Sequence, residues 1–178
     1  MSFISEFKQN IFEINENNFE KKAIDLFHFQ YVHNDVYQKY VNFLGIDVST
    51  VNKLEKIPFL PIQFFKQYRI SSVTKKEEFY FQSSGTTGQE RSKHYVFDMN
   101  FYNEVSLKGF EKFYGNIEEY QIVALLPNYV ENPHSSLISM INHFIEKSRN
   151  EKSGYFTLDT VMQYLKSEDK KLLIGVSF

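Results

Sequence analysis

The spacing of apolar residues changes along the chain. In the first third they recur at three- and four-residue intervals, and later they fall into short runs separated by polar turns. Phe19, Ala23 and Phe27 share one helical stripe, with Lys21, Lys22 and Asp25 on other faces. Asn17, followed three residues later by Glu20, predicts a capping-box start for that helix. A second helix passes through Val36, Tyr40 and Phe43 or Leu44 and stops at Gly45, a residue suited to the position after a helix end. Residues 1 to about 56 thus read as helical. Pro58 and Pro61 then mark an extended crossing, with a short helix from Ile62.

From Tyr68 the pattern alternates between strands and helices. Strands are predicted at Arg69–Val73, Glu78–Gln82, His94–Phe97, Gln121–Leu126 and Lys171–Val176. Asp98 is placed to cap a helix reaching about Phe113, along the stripe Tyr102, Val105, Gly109 and Phe113. A helix from Ser135 to Lys147 puts Leu137, Ile141 and Ile145 on one face, and Thr157 or Asp159 opens another that ends near Lys166. The fold class is α/β: a helical region over residues 1–67, then over 68–178 an incomplete mixed or parallel sheet flanked by helices. The two parts are expected to form one continuous structural unit. Residues 172–178 read as a buried central strand with nothing after it, so the pattern predicts a truncated piece of a longer protein. An unfinished sheet edge of that kind predicts self-association into a homo-oligomer.

Composition narrows the function. The chain has 178 residues, 42 % of them hydrophobic, with 19 Phe and 12 Tyr, enough to build a core. A net charge of −2 with dispersed basic residues gives no field for nucleic acid. The absence of Cys removes disulfides, thiolate chemistry and cysteine metal sites. The N-terminus has no signal-peptide pattern and no apolar run suggests a membrane span, so a soluble, cytoplasmic protein is expected.

The chemistry concentrates in Gln82-Ser-Ser-Gly-Thr-Thr-Gly-Gln-Glu-Arg-Ser-Lys93. Ser83, Ser84, Thr86 and Thr87 set four hydroxyls around Gly85 and Gly88, which tolerate positive φ and allow close backbone approach to a ligand. Arg91 and Lys93 add cations at the edge. Donors beside fixed positive charge suit a polyphosphate. Neither the Walker spacing nor Gly-x-Gly-x-x-Gly is present. The competing reading of the same residues is a flexible Ser/Gly connection between two strands.

Ser83-Ser-Gly-Thr-Thr-Gly88 resembles the phosphate-binding loop of the adenylate-forming superfamily, which includes the acyl-CoA synthetases. Pro58-Phe-Leu-Pro-Ile-Gln-Phe-Phe-Lys66, Leu125-Leu-Pro-Asn-Tyr-Val-Glu131 and Ser135-Ser-Leu137 make the chain similar to one branch of it, the acyl-protein synthetases, which contains the luciferin-component ligase of bacterial luminescence. The resemblance covers nearly the whole chain. It implies the N-terminal portion of such an enzyme, with the fold of that superfamily's N-terminal domain. The hydroxyls of Ser83, Ser84, Thr86 and Thr87, with the N–H groups around Gly85 and Gly88, would hold the β- and γ-phosphates of ATP. Arg91 would face them as the cation, with Lys93 a second candidate or a solvated strand-end charge. A carboxylic acid, a fatty acid in this branch, would be activated as its acyl-adenylate with Mg²⁺ on the phosphates, then passed to a protein thiol or other acceptor, with a reductase as a further partner. The superfamily's adenine motif, ribose-binding Asp and catalytic Lys fall beyond residue 178, so no catalytic residue is assigned and this piece is expected to be inactive alone. The branch's acyl-carrying Cys also has no counterpart here.

The resemblance also marks His134 and Ser135 as candidates for the acid's pocket, at a loop-to-helix junction where a helix N-terminus can meet an anion. Ser135 as a simple N-cap with His134 exposed is the competing reading. No His pairs with a second ligand at metal-like spacing, so no metal site is predicted within the chain. The Phe- and Tyr-rich N-terminal helices read as core, with an acyl channel as the alternative. Two functions of other classes remain open: a non-catalytic nucleotide- or anion-binding module, and a truncated interaction remnant.

Overall fold

The computed structural model describes residues 2–83, 91–126, 132–166 and 168–176. The chain divides into two units, Met1–Phe97 and Asp98–Phe178.

The first unit begins with α1 (Phe3–Asn10), α2 (Phe19–His33) and α3 (Asp35–Phe43). One residue separates α2 from α3, and its chemistry explains the break. The Asn34 N–H donates to Gln30 O at 2.9 Å, closing α2, while Asn34 Oδ1 accepts from the Tyr37 N–H at 3.1 Å, opening α3. The end of α3 follows the expectation for Gly45. Its φ is +69°, Gly45 N–H donates to Asn42 O and Ile46 N–H to Val41 O, a Schellman closure. The predicted capping box at Asn17 and Glu20 is not formed. Asn18 occupies the N-cap position without a side-chain cap bond, its Oδ1 accepting instead from Asn15 N–H at 2.9 Å. Glu20 accepts from the Leu54 N–H at 3.1 Å, so its carboxylate ties α2 to a distant turn.

Phe27, Tyr37, Val41 and Val51 form the buried centre of this unit, with Tyr31, Tyr40, Ile57 and Leu60 packed around it. Phe27 meets Tyr37 edge-on at 6.1 Å. The Tyr37 hydroxyl donates to Pro58 O at 2.8 Å, pinning the proline crossing to the helices, and burial pushes that phenol up to about 12. A short α4 (Phe64–Gln67) follows, as expected from Ile62 onward.

Residues 69–73, expected as a strand, are irregular. The Ser71 hydroxyl donates to Val73 O at 2.7 Å and accepts from the Val73 N–H at 3.2 Å, a local turn that withdraws these groups from any ladder. The strands of this unit are β1 (Phe79–Gln82) and β2 (Lys93–Val96), paired antiparallel from Phe79↔Val96 to Gln82↔Lys93. Arg69 braces this hairpin. It grips Glu77 through two nitrogens at 3.1 and 2.6 Å and lies 4.2 Å above the Tyr95 ring.

In the second unit Asp98 caps α5 (Met99–Tyr114) as expected, its Oδ1 accepting from the Phe101 N–H at 3.0 Å. Then come β3 (Gln121–Leu125), α6 (Ser136–Ser148), β4 (Gly154–Tyr155), α7 (Leu158–Leu165) and β5 (Lys171–Gly175). The sheet order is β4-β3-β5, with both pairings parallel. Gln121, Ile122, Val123 and Ala124 are fully buried, as a central parallel strand requires. Ile122, Ala124 and Leu126 pack with Ile141 and Phe144 of α6 and with Phe110 of α5. Gln121 is accommodated by donating to Lys152 O at 3.0 Å. β4 escaped the sequence reading because two residues show no alternation. The capping box expected near Asn17 appears instead at α7, between Thr157 and Thr160.

Two outcomes follow. Ile141→Ala should lower stability by about 2–5 kcal/mol in urea unfolding, because a fully buried side chain leaves a cavity against β3. The Arg69 guanidinium holds the Glu77 carboxyl down at about 2, so its contribution is complete above the ordinary carboxylate range and is lost as pH falls toward 2. In Arg69→Ala the Glu77 carboxyl should titrate at higher pH, toward the ordinary range, by carboxyl-detected NMR; an unchanged midpoint would remove Arg69 as the main cause.

Candidate functional site

β1 and β2 place the two ends of the Ser/Thr/Gly loop side by side. Beyond the Gln82↔Lys93 pair the Ser83 N–H donates to Ser92 O at 3.1 Å, and the Ser92 N–H donates to Ser83 Oγ at 3.1 Å. The Ser83 hydroxyl therefore serves two purposes. It accepts from the backbone to close the hairpin, and it keeps its own proton for an outside acceptor. The predicted site residues Ser84, Gly85, Thr86, Thr87 and Gly88 lie outside the described residues.

Arg91 and Lys93 follow the loop, and both side chains are exposed. Lys93 Nζ lies 5.4 Å from the centre of the Tyr80 ring, its diagonal neighbour across the ladder. The hairpin end thus brings together Ser83, Arg91 and Lys93, three of the residues singled out in the sequence. One hydroxyl and two cations at the mouth of a closed hairpin can receive an anionic oxygen cluster. That donor set fits a nucleotide's phosphates.

Arg69, Glu77 and Tyr95 stand behind this mouth and were not recognised in the sequence. Arg69 and Glu77 are eight residues apart, and the turn at Ser71 that makes them neighbours carries no motif. Lys75 adds a second brace, donating to Phe97 O at 3.0 Å and to Glu78 at 3.2 Å.

His134 and Ser135 belong to the second unit, on the connection that leaves the carboxyl end of β3. Ser135 is the N-cap of α6, its Oγ accepting from the Ile138 N–H at 3.3 Å. His134 is half-buried rather than exposed. Residues 127–131, part of the sequence resemblance, lie outside the described residues. The sheet is parallel with strand order reversing about β3, a topology whose ligands in open α/β sheets are received beyond the carboxyl ends of the strands. Among the described residues no cluster of three or more His, Asp or Glu is placed to hold a metal ion, and no helix is long and apolar enough to cross a membrane.

Comparison with known proteins gives one family. The family model described as acyl-protein synthetase, LuxE, matches residues 7–95, half of the chain, from α1 to Tyr95 of β2. No curated protein and no solved structure matches the chain. The matched stretch contains the proline crossing, the brace at Arg69 and the hairpin sequence up to Tyr95. The chain belongs to the acyl-protein synthetase, LuxE, family.

Proposed function

We propose that this chain binds ATP with Mg²⁺ at the hairpin mouth and takes part in activating a carboxylic acid, a fatty acid, as its acyl-adenylate. The observation that carries the reading is the closure of Ser83 on Ser92, which sets the two ends of a hydroxyl-rich sequence side by side, next to Arg91 and Lys93. Membership of an acyl-protein synthetase family supports the same chemistry.

Each residue has a definite part. Ser83, Ser84, Thr86 and Thr87 donate to β- and γ-phosphate oxygens, and Gly85 and Gly88 let backbone N–H groups approach them. Arg91 neutralises charge that grows on pyrophosphate as it leaves, and Lys93 supplies a second, more distant cation. Mg²⁺, when bound, spreads the phosphate charge and makes the α-phosphorus easier to attack. A carboxylate oxygen of the acid bonds to that phosphorus while the bond to pyrophosphate breaks. A thiol or hydroxyl acceptor then takes the acyl group and releases AMP. His134 and Ser135, on the connection after β3, are proposed to face the acid, Ser135 through the N-terminal turn that it caps. An ATP-dependent acyl transfer of this kind belongs in the cytoplasm, with an acyl-acceptor protein or a reductase as the partner that consumes the product.

Calorimetric titration with ATP–Mg²⁺ tests the reading. Saturable binding is expected, weakened in Arg91→Ala by about 1.5–3 kcal/mol, the range for a hydrogen bond to a charged group. Because the Arg91 side chain is exposed, unfolding midpoints should be the same for both proteins. Absence of heat with the unaltered chain would refute nucleotide binding at the loop.

A further inference from the structure

The proline crossing, Pro58 to Ile62, lies within the stretch that matches the family and takes no part in the reaction proposed above. It holds two large apolar side chains in water: Phe59 and Ile62 are 71 % and 72 % exposed, and Pro61 beside them is exposed too. The crossing is fixed at both ends on α3. Pro58 is buried, and its carbonyl accepts the Tyr37 hydroxyl at 2.8 Å. At the other end the Phe64 ring meets the Tyr40 ring edge-on at 5.6 Å. Phe59 and Ile62 are therefore carried between two anchors, and apolar surface held out on a fixed turn marks a contact.

Backbone chemistry narrows what the turn meets. Pro58 and Pro61 carry no N–H, so only Phe59, Leu60 and Ile62 bring donors to the crossing. The Pro61 and Ile62 carbonyls accept from the Phe64 and Phe65 N–H groups at 3.0 and 3.2 Å. A turn with few donors and locally met carbonyls enters an apolar layer at reduced cost. The same turn makes a poor template for a strand of a protein partner, which needs a regular row of donors and acceptors.

Charge selects the partner. Lys53 and Lys56 precede the turn and Lys66 follows it, all three exposed. Among the described residues none of them is paired with a carboxylate; Lys56 donates to the neutral oxygens of Thr50 and Asn52. Glu55 is the only acid between Lys53 and Lys66, so this stretch is cationic on a chain whose net charge is −2. Apolar side chains flanked by unpaired lysines complement an anionic bilayer, whose headgroups meet the ammoniums while its acyl boundary takes the rings and branches. The geometry points to the proline crossing as a peripheral membrane contact, with Phe59 and Ile62 entering the interfacial layer of an anionic bilayer and Lys53, Lys56 and Lys66 on its headgroups. No span is involved, since no described helix is long and apolar enough to cross a membrane. The contact requires neither the nucleotide nor the acid of the proposed reaction.

Co-sedimentation with vesicles of phosphatidylcholine, with and without phosphatidylserine, reads the contact. The protein should bind the anionic vesicles, less as salt rises, and leave the neutral ones in solution. Lys66→Gln should weaken partition about fivefold at low salt, and Phe59→Ser combined with Ile62→Ser about tenfold. Phe113→Ser, an exposed aromatic of the second unit, should leave it unchanged. All of these side chains are exposed, so thermal unfolding midpoints should match that of the unaltered chain and exclude misfolding as the cause. The chain has no Trp, so Phe59→Trp supplies a single fluorophore, whose emission should shift to the blue on anionic vesicles. Equal binding to neutral and anionic vesicles, no binding to either, or an equal loss in Phe113→Ser would overturn the assignment. So would a blue shift that grows with protein concentration in the absence of lipid, which would show a second copy covering the turn.

Discussion

The ladder between β1 and β2 is the constraint on which the candidate site depends. Four residue pairs, from Phe79↔Val96 to Gln82↔Lys93, set the register, and Ser83 with Ser92 continue it to the mouth. A two-stranded ribbon of this length is marginal by itself. It is held because Arg69 grips Glu77 just before β1 and stacks on Tyr95 within β2, while Lys75 reaches the Phe97 carbonyl at the far end of β2. These braces come from one irregular segment, and each spans a different part of the ribbon. Fixing Ser83 beside Ser92 meets the entropy cost of bringing these two positions together before any ligand arrives.

The second unit solves a different problem. β3 is buried on both faces, so its hydrogen bonds and side chains must all be met internally. Parallel neighbours on both sides meet the backbone, α5 and α6 cover Ile122 and Ala124, and Gln121 finds the Lys152 carbonyl. At the entry to β5, Lys170 pairs with Glu119 at 3.0 Å and lies 4.2 Å over the Tyr120 ring, fixing the register from the amino end. The carboxyl end is thereby left to the segment that carries His134 and Ser135.

Much of this could be read from the sequence, for identifiable reasons. Helix ends governed by one residue were legible: Gly45 needed positive φ, and Asp98 and Ser135 are N-caps whose oxygen meets the N–H three residues on. The strongly apolar strand β3 was legible because burial on both faces leaves a continuous hydrophobic run. β5 was expected as a buried central strand, but among the described residues it is an outer strand of β4-β3-β5, with Leu173 50 % exposed. Failures came where one side chain had a choice of backbone partners. Asn18 bonds back to Asn15, Glu20 crosses to Leu54, and Ser71 folds onto Val73 where a strand was expected. The hairpin loop was conspicuous through its composition. The brace behind it was not, because it depends on residues that only the fold makes neighbours.

The central claim is that the hairpin mouth receives the phosphates of ATP, and an amide-resolved NMR titration with ATP–Mg²⁺ tests it most directly. The account predicts that the largest shifts fall on Ser83, Ser92 and Lys93 and on the residues between Ser83 and Ser92, with α1 and α3 unmoved. Saturating nucleotide that leaves Ser83, Ser92 and Lys93 unshifted, or that shifts only residues beyond Asp98, would contradict it.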